Sequence, residues 1–267
     1  MGMFPRVQRL LVWGLGCLFA IASCLFSPSL VSAQPLPAPQ FQVSSTTGLT
    51  LTSARDIFRT AYDRRYTWDE QFPGYAADVS LRYGKTLYHG LIRVNPDLTV
   101  SVLQLKDEAV RQLVTEQLQM VAIHHRRVPF EALHGQHTFE VVDTDQTGTV
   151  EIQELGDQLD SYYKIRDQKI TQVNRRMGDI AVTVNTLGFF TPPEGYLVAH
   201  YESIFYNPQT GDELEKQDVR DIYDKVGQYY LLTRRYIRRS EPSQPTPGLG
   251  ADTLISFDAI QLLRPKA

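Results

Sequence analysis

The chain has 267 residues, with 27 Lys and Arg against 30 Asp and Glu, a formal charge of −3 at pH 7. That balance excludes a nucleic-acid binder, whose domain would be basic. The length is enough for one domain with a sizeable core.

Residues 1–33 have the three parts of a secretory signal. Arg6 and Arg9 start it, with no acidic residue before Ala33, and residues 10–26 are almost wholly apolar. Ser27 and Pro28 break that run, and Val31-Ser32-Ala33 supplies small residues for cleavage. An uncut membrane anchor is the competing reading, but the 17 apolar residues fall short of the roughly 20 that span a bilayer. Both cysteines, Cys17 and Cys24, lie in this segment. Cleavage after Ala33 leaves a chain with no disulfide or thiolate chemistry. It also removes two arginines and no acid, moving the charge from −3 to −5. Ile21-Ala22-Ser23-Cys24 resembles a lipobox, and lipidation at Cys24 would tether the protein instead. Membrane association is expected only with that lipid or a retained signal.

Residues 34–50 form a flexible leader rich in Pro, Gln and Ser. A single α+β domain is expected over 51–265. Ser53 can cap a helix carrying Ala54, Ile57, Phe58, Ala61 and Tyr62 at helical spacing. Period-two alternation over Tyr75, Ala77, Val79 and Leu81 then starts a three-stranded meander, continued at 87–94 and 98–105. Asp107 opens the longest helix candidate, with Val110, Leu113, Val114, Leu118 and Val121 as its apolar stripe. Strand patterns dominate from Phe139 onward, with long runs at 180–190, 196–206 and 229–237, a loop at 242–250 and a last strand at 254–262. So many antiparallel strands must twist and curl. Two main helices should cover one face of the sheet, and such an arrangement can enclose an apolar cavity.

The sharpest local motif runs from Asp143 to Glu154. It matches the twelve-position calcium loop of an EF-hand, with Asp143, Asp145, Thr147, Thr149, Glu151 and Glu154 as candidate oxygen ligands and Gly148 at the sharp turn. The flanks argue for a β-hairpin instead, because Phe139/Val141 and Val150/Ile152 alternate like paired strands. Calcium is the one cofactor the sequence suggests. Four of the six histidines, His124, His125, His134 and His137, fall within 14 residues. His134-x-x-His137 would suit zinc or copper on a helix, but Gly135 argues against one there. Arg234, Arg235, Arg238 and Arg239 read as a solvated strand face or an acid-binding patch. No motif of a hydrolase triad, zinc protease, phosphate loop or dinucleotide site is present.

Arg65-Tyr66-Thr67-Trp68-Asp69 followed by Phe72-Pro73-Gly74-Tyr75 resembles an uncharacterised family of cyanobacteria and plastid-bearing organisms, catalogued only as a domain of unknown function. Pro129-Phe130-Glu131, His134-Gly135, Val184-Asn185-Thr186 and Thr233-Arg234-Arg235 extend the likeness over roughly residues 53–263. The resemblance implies no activity or catalytic residue. It implies a hairpin for the Asp-rich loop, and periplasm or thylakoid lumen as destination. The element order also resembles the curled half-barrel of periplasmic lipoprotein carriers, by analogy of fold. The expectation is an exported, non-enzymatic protein that binds an apolar ligand or protein partner. The alternatives are a calcium-binding protein and an enzyme with an unrecognised site.

Overall fold

The computed structural model describes residues 52–156, 161–240 and 252–264. The signal, the leader, both cysteines and the 242–250 loop lie outside them.

Three helices are described: α1 (Ala54–Asp63), α2 (Glu108–His125) and the short α3 (Phe130–His134). The strands are β1 (Tyr75–Tyr83), β2 (Thr86–Val94), β3 (Val100–Leu103), β4 (Thr138–Thr144), β5 (Val150–Leu155) and β6 (Ser161–Arg166). Next come β7 (Lys169–Met177), β8 (Ile180–Phe190), β9 (Leu197–Tyr206), β10 (Glu213–Val226), β11 (Tyr229–Ser240) and β12 (Thr253–Leu262). All twelve form one antiparallel sheet in the order β3-β2-β1-β12-β11-β10-β9-β8-β7-β6-β5-β4. The sheet is curled and open, with β3 and β4 at its free edges. This is the α+β class that the strand patterns and the two long helical stripes predict.

Both caps predicted from sequence are made. The Ser53 hydroxyl accepts from the Asp56 amide at 3.1 Å, and the Asp107 carboxylate accepts from the Val110 amide at 3.1 Å. Two elements differ from expectation. Residues 130–134 are helical although Gly135 argues against a helix there, and Gly135 caps α3 as its last turn closes. Residues 213–226 form the longest strand, although their charge gives no strand pattern.

Directly paired residues of antiparallel strands share a face. The register therefore traces one row across the sheet: Val141, Ile152, Tyr163, Val173, Val184, Ser203, Gln217 and Arg239. A second row, Asp221–Arg235–Ile255–Leu81, carries the same face to β1. Helix α1 buries Phe58 against Ile152, Tyr163 and Ile165 of this face. Helix α2 buries Val114, Leu118 and Val121 against Val79, Leu81, Ile255 and Phe257 of the same face. Both helices thus cover one side, called the inner face below. The reason is topological. Strands β3 and β4 follow one another in sequence but stand at opposite edges, so the chain between them must cross the sheet, and α2 and α3 make the crossing.

Candidate functional site

The Asp-rich motif is a hairpin, as its flanking alternation predicts. The Asp145 amide donates to the Thr149 carbonyl at 3.0 Å, and the Gly148 amide to the Asp145 carbonyl at 3.0 Å. The Asp145 carboxylate closes the turn, accepting from the Thr147 amide and hydroxyl and the Thr149 amide at 2.7–3.0 Å. The hydrogen bond from the Thr147 hydroxyl, with those from the backbone, holds the Asp145 carboxyl below its usual range. Asp143 lies across from Glu151, which faces Lys164 at 3.8 Å. Glu154 does not join this group. It lies opposite Phe139, at the far end of the hairpin, with its side chain buried on the inner face.

There Glu154 meets the other sequence candidates. Helix α3 presents His134, the following turn presents His137, and both imidazoles aim Nδ1 at the same carboxylate oxygen, Glu154 Oε1. The His137 contact is 2.6 Å. The Tyr163 hydroxyl donates to the second oxygen, Oε2, at 2.8 Å, and Arg175 Nη2 donates to that hydroxyl at 2.6 Å. Burial would raise the Glu154 carboxyl, but the hydrogen bonds from both histidines and Tyr163 hold it at about 2. Burial pushes Tyr163 up to about 12, against the pull of Arg175. A layer of rings closes the site: Phe58 and Tyr62 each pack edge-on against His134 with ring centres 5.1 Å apart, and Phe130 and Phe139 stand beside it. Arg55 clamps the turn from outside, donating to the carbonyl of His137 at 3.0 Å and to Glu131 at 2.8 Å. Among the described residues, His134, His137 and Glu154 are the one group of three whose metal-capable atoms lie within 4.8 Å of one another.

The other two histidines of the sequence cluster go elsewhere. His125 is buried at the end of α2, where its Nδ1 lies 2.8 Å from the Val121 carbonyl and its ring stacks on Trp68. His124 is exposed. The arginine run is split by the pleat. Arg234 and Arg238 face solvent, while Arg235 and Arg239 turn to the inner face.

Between the two helix-covered clusters, strands β8 to β10 contribute a strip of the inner face that belongs to neither. Val182 and Phe205 are buried in it, and Val184, Thr186 and Tyr201 are half-buried. Ser203 and Gln217 supply its polar groups. Two open hollows, of about 260 and 440 Å³, lie on the opposite side, one lined by Asp224 and Arg234 and the other by Asp78, Ser80 and His89.

An open, curled antiparallel sheet with both main helices on one face defines an α+β protein. The chain belongs to the family described as Protein of unknown function (DUF3386), which matches residues 49–263. No curated protein matches it. Among solved structures, the crystal structure of a DUF1329 family protein from Desulfovibrio piger ATCC 29098 matches 78% of this chain and 92% of that one, at 10% identity and a TM-score of 0.24. A score that low carries no argument about fold or role.

Within this frame the Arg65–Asp69 motif has a structural purpose. Tyr66 donates its amide to the Tyr196 carbonyl at 2.8 Å, and its hydroxyl accepts from the Tyr230 amide at 2.8 Å. The Trp68 amide donates to the His125 carbonyl at 2.7 Å, and its indole N–H to the Tyr230 carbonyl at 3.2 Å. The motif is a strap that ties the chain leaving α1 to the ends of β9, β11 and α2.

Proposed function

We propose that this protein acts outside the cytoplasm, in periplasm or thylakoid lumen, as a non-enzymatic binding protein. It takes an apolar ligand along the inner-face strip between α1 and α2. The observation that supports this reading is the strip itself. Val184 and Tyr201 are half-buried beside the buried Val182 and Phe205, in an apolar row outside both packed clusters with helices standing on either side. The apolar surface that Val184 and Tyr201 leave open gains about 25 cal/mol per Å² when a ligand covers it. The half-barrel of lipoprotein carriers offers an analogy of shape.

The test is native mass spectrometry and solvent extraction of the purified mature chain. A stoichiometric apolar molecule is expected, and Val184→Asp should release it while leaving the circular dichroism spectrum unchanged. An empty protein that also fails to take up a fluorescent acyl probe would end this reading. Capture of a protein in place of a lipid would move the strip to a partner role. Intact mass of the exported form checks the compartment. Loss of residues 1–33 is expected, and a lipid on Cys24 would make the protein membrane-tethered.

A further inference from the structure

We infer that His134, His137 and Glu154 form a binding site for a first-row transition dication, with zinc the best fit. Two imidazoles from α3 and the turn after it, and a carboxylate from β5, converge their ligand atoms within 4.8 Å of one another. Two imidazole nitrogens and one carboxylate oxygen are the donor set that zinc takes from proteins, commonly with water in the fourth position. Calcium and magnesium prefer all-oxygen shells, so they are disfavoured here.

The surroundings are built as those of a metal centre are. Ligands that bind metal are usually oriented by a second layer of hydrogen bonds. Tyr163 occupies Oε2 of Glu154, which leaves Oε1 turned to the histidines, and Arg175 in turn holds Tyr163. Arg55 fixes the His137 carbonyl and, with Glu131, the turn that carries both rings. Gly156 passes so close that a Cβ there would stand 2.6 Å from His137 Cδ2, so backbone pins that ring from the other side. Phe58, Tyr62 and Phe130 surround His134 with aromatic rings. His137, with its side chain 12% exposed, marks the side open to solvent.

A protein-only network would need both Nδ1 atoms protonated and donating to a single oxygen. That arrangement concentrates two donors on Oε1 in an interior position, where one dication could replace both protons. The bonds to zinc are about 2.0–2.1 Å, so neighbouring ligand atoms stand about 3.3 Å apart around it. The His137 contact of 2.6 Å would open by several tenths of an ångström to admit the ion. The solvent side offers that freedom.

The experiment uses the full mature chain, stripped with chelator and titrated with zinc against a chromophoric competitor. One zinc per chain is expected, with imidazole ligation in the X-ray absorption spectrum. His137→Gln and Glu154→Gln should each weaken binding on the order of a hundredfold or more, given that loss of mere supporting groups costs 10–100-fold. His200→Gln, whose ring pairs with Asp218 at 2.9 Å elsewhere on the sheet, should bind as wild type does. Should Glu154→Gln fold poorly, His137→Gln carries the test, because His137 sits at the rim and the fold of its variant is checked by circular dichroism. Wild-type protein that binds no zinc, or binds it no more tightly than a folded His137→Gln, overturns the site and leaves a buried hydrogen-bond network. A spectrum without imidazole nitrogen overturns it equally.

Discussion

Arg235 stands in a row of arginines along β11, yet its side chain is only 5% exposed and its partner Asp221 only 1%. The two make a bidentate pair, Nε to Oδ1 at 2.7 Å and Nη2 to Oδ2 at 2.6 Å, and Nη1 donates to Gln117 Oε1 of α2 at 2.9 Å. Burial works against the guanidinium charge, but Asp221 more than compensates and raises the Arg235 pKa. Breaking such a pair leaves an isolated buried charge, which costs about 3–5 kcal/mol. Arg235→Met alone should therefore lower stability by that amount in urea denaturation. Asp221→Leu with Arg235→Met should recover most of it, because no charge is then stranded. Sequence could not separate this arginine from Arg234 or Arg238. The pleat makes the difference, and the pleat's phase is set by pairing with β10.

His125 contributes to the pH dependence. Burial lowers its pKa from the usual value to about 4, despite the Val121 carbonyl that favours its charged form. A folded-state value below the unfolded one means the unfolded chain binds the proton first. Stability is complete above about pH 6.5 and falls as pH drops from there towards 4. His125→Gln should flatten that part of the stability–pH curve, and denaturation midpoints measured between pH 7 and 4.5 will show it. An unchanged slope would mean His125 titrates with solvent access.

At the scale of elements, two turn glycines separate conformation from crowding. Gly74, in the Phe-Pro-Gly-Tyr segment, has φ +78°, and a Cβ there would stand 2.3 Å from the Val94 carbonyl oxygen. Gly148, in the Asp-rich hairpin, has φ +80° with nothing within 4 Å. Left-handed backbone costs an ordinary residue about 1–2 kcal/mol. Gly148→Ala should lose only that, whereas Gly74→Ala should lose clearly more because the backbone of β2 must move. Thermal melts of the two variants give the ordering. Gly148 was visible as a turn signal in sequence, and α1, α2, the first meander and the hairpin were visible because their apolar spacing is regular, whereas Gly74 entered only through the family likeness. Strand β10 was not visible. Its inner positions are Glu215, Gln217, Val219 and Asp221, three of them polar and facing Arg239 and Arg235, so one buried valine is too little for a period-two signal. Helix α3 hid for a different reason: five residues are too few for periodicity. That same shortness concealed the site. His134 and His137 were noticed as a pair, and Glu154 as a calcium ligand, but their meeting depends on α3 docking over β5.

The described sheet is two meanders, β1–β3 and β4–β12, joined by one long-range pairing. From β4 to β12 each strand pairs with its successor, and β12 then pairs with β1, which brings the two ends of the domain together. Local alternation carries the first part of that order, while the β1–β12 pairing has no local signal. The consequence is a sheet with two separate packed clusters, one under α2 on β1, β2, β11 and β12, and one under α1 on β5 to β7. Cooperative units in proteins follow such contacts. Phe58 is 1% exposed and meets Tyr62, Phe130, His134, Phe139 and Tyr163, so Phe58→Ala should cost about 3–5 kcal/mol. The loss should be local. Hydrogen exchange should show β4 to β7 losing protection while β1, β2, β11 and β12 keep theirs. Leu118→Ala in α2 should give the reverse pattern, because Leu118 packs only in the other cluster. If both variants lower every strand equally, the twelve strands unfold as one unit and the strip on β8 to β10 is part of a continuous core. If the patterns separate, that strip is the seam between two halves, and its apolar row is free to serve a ligand without holding the fold together.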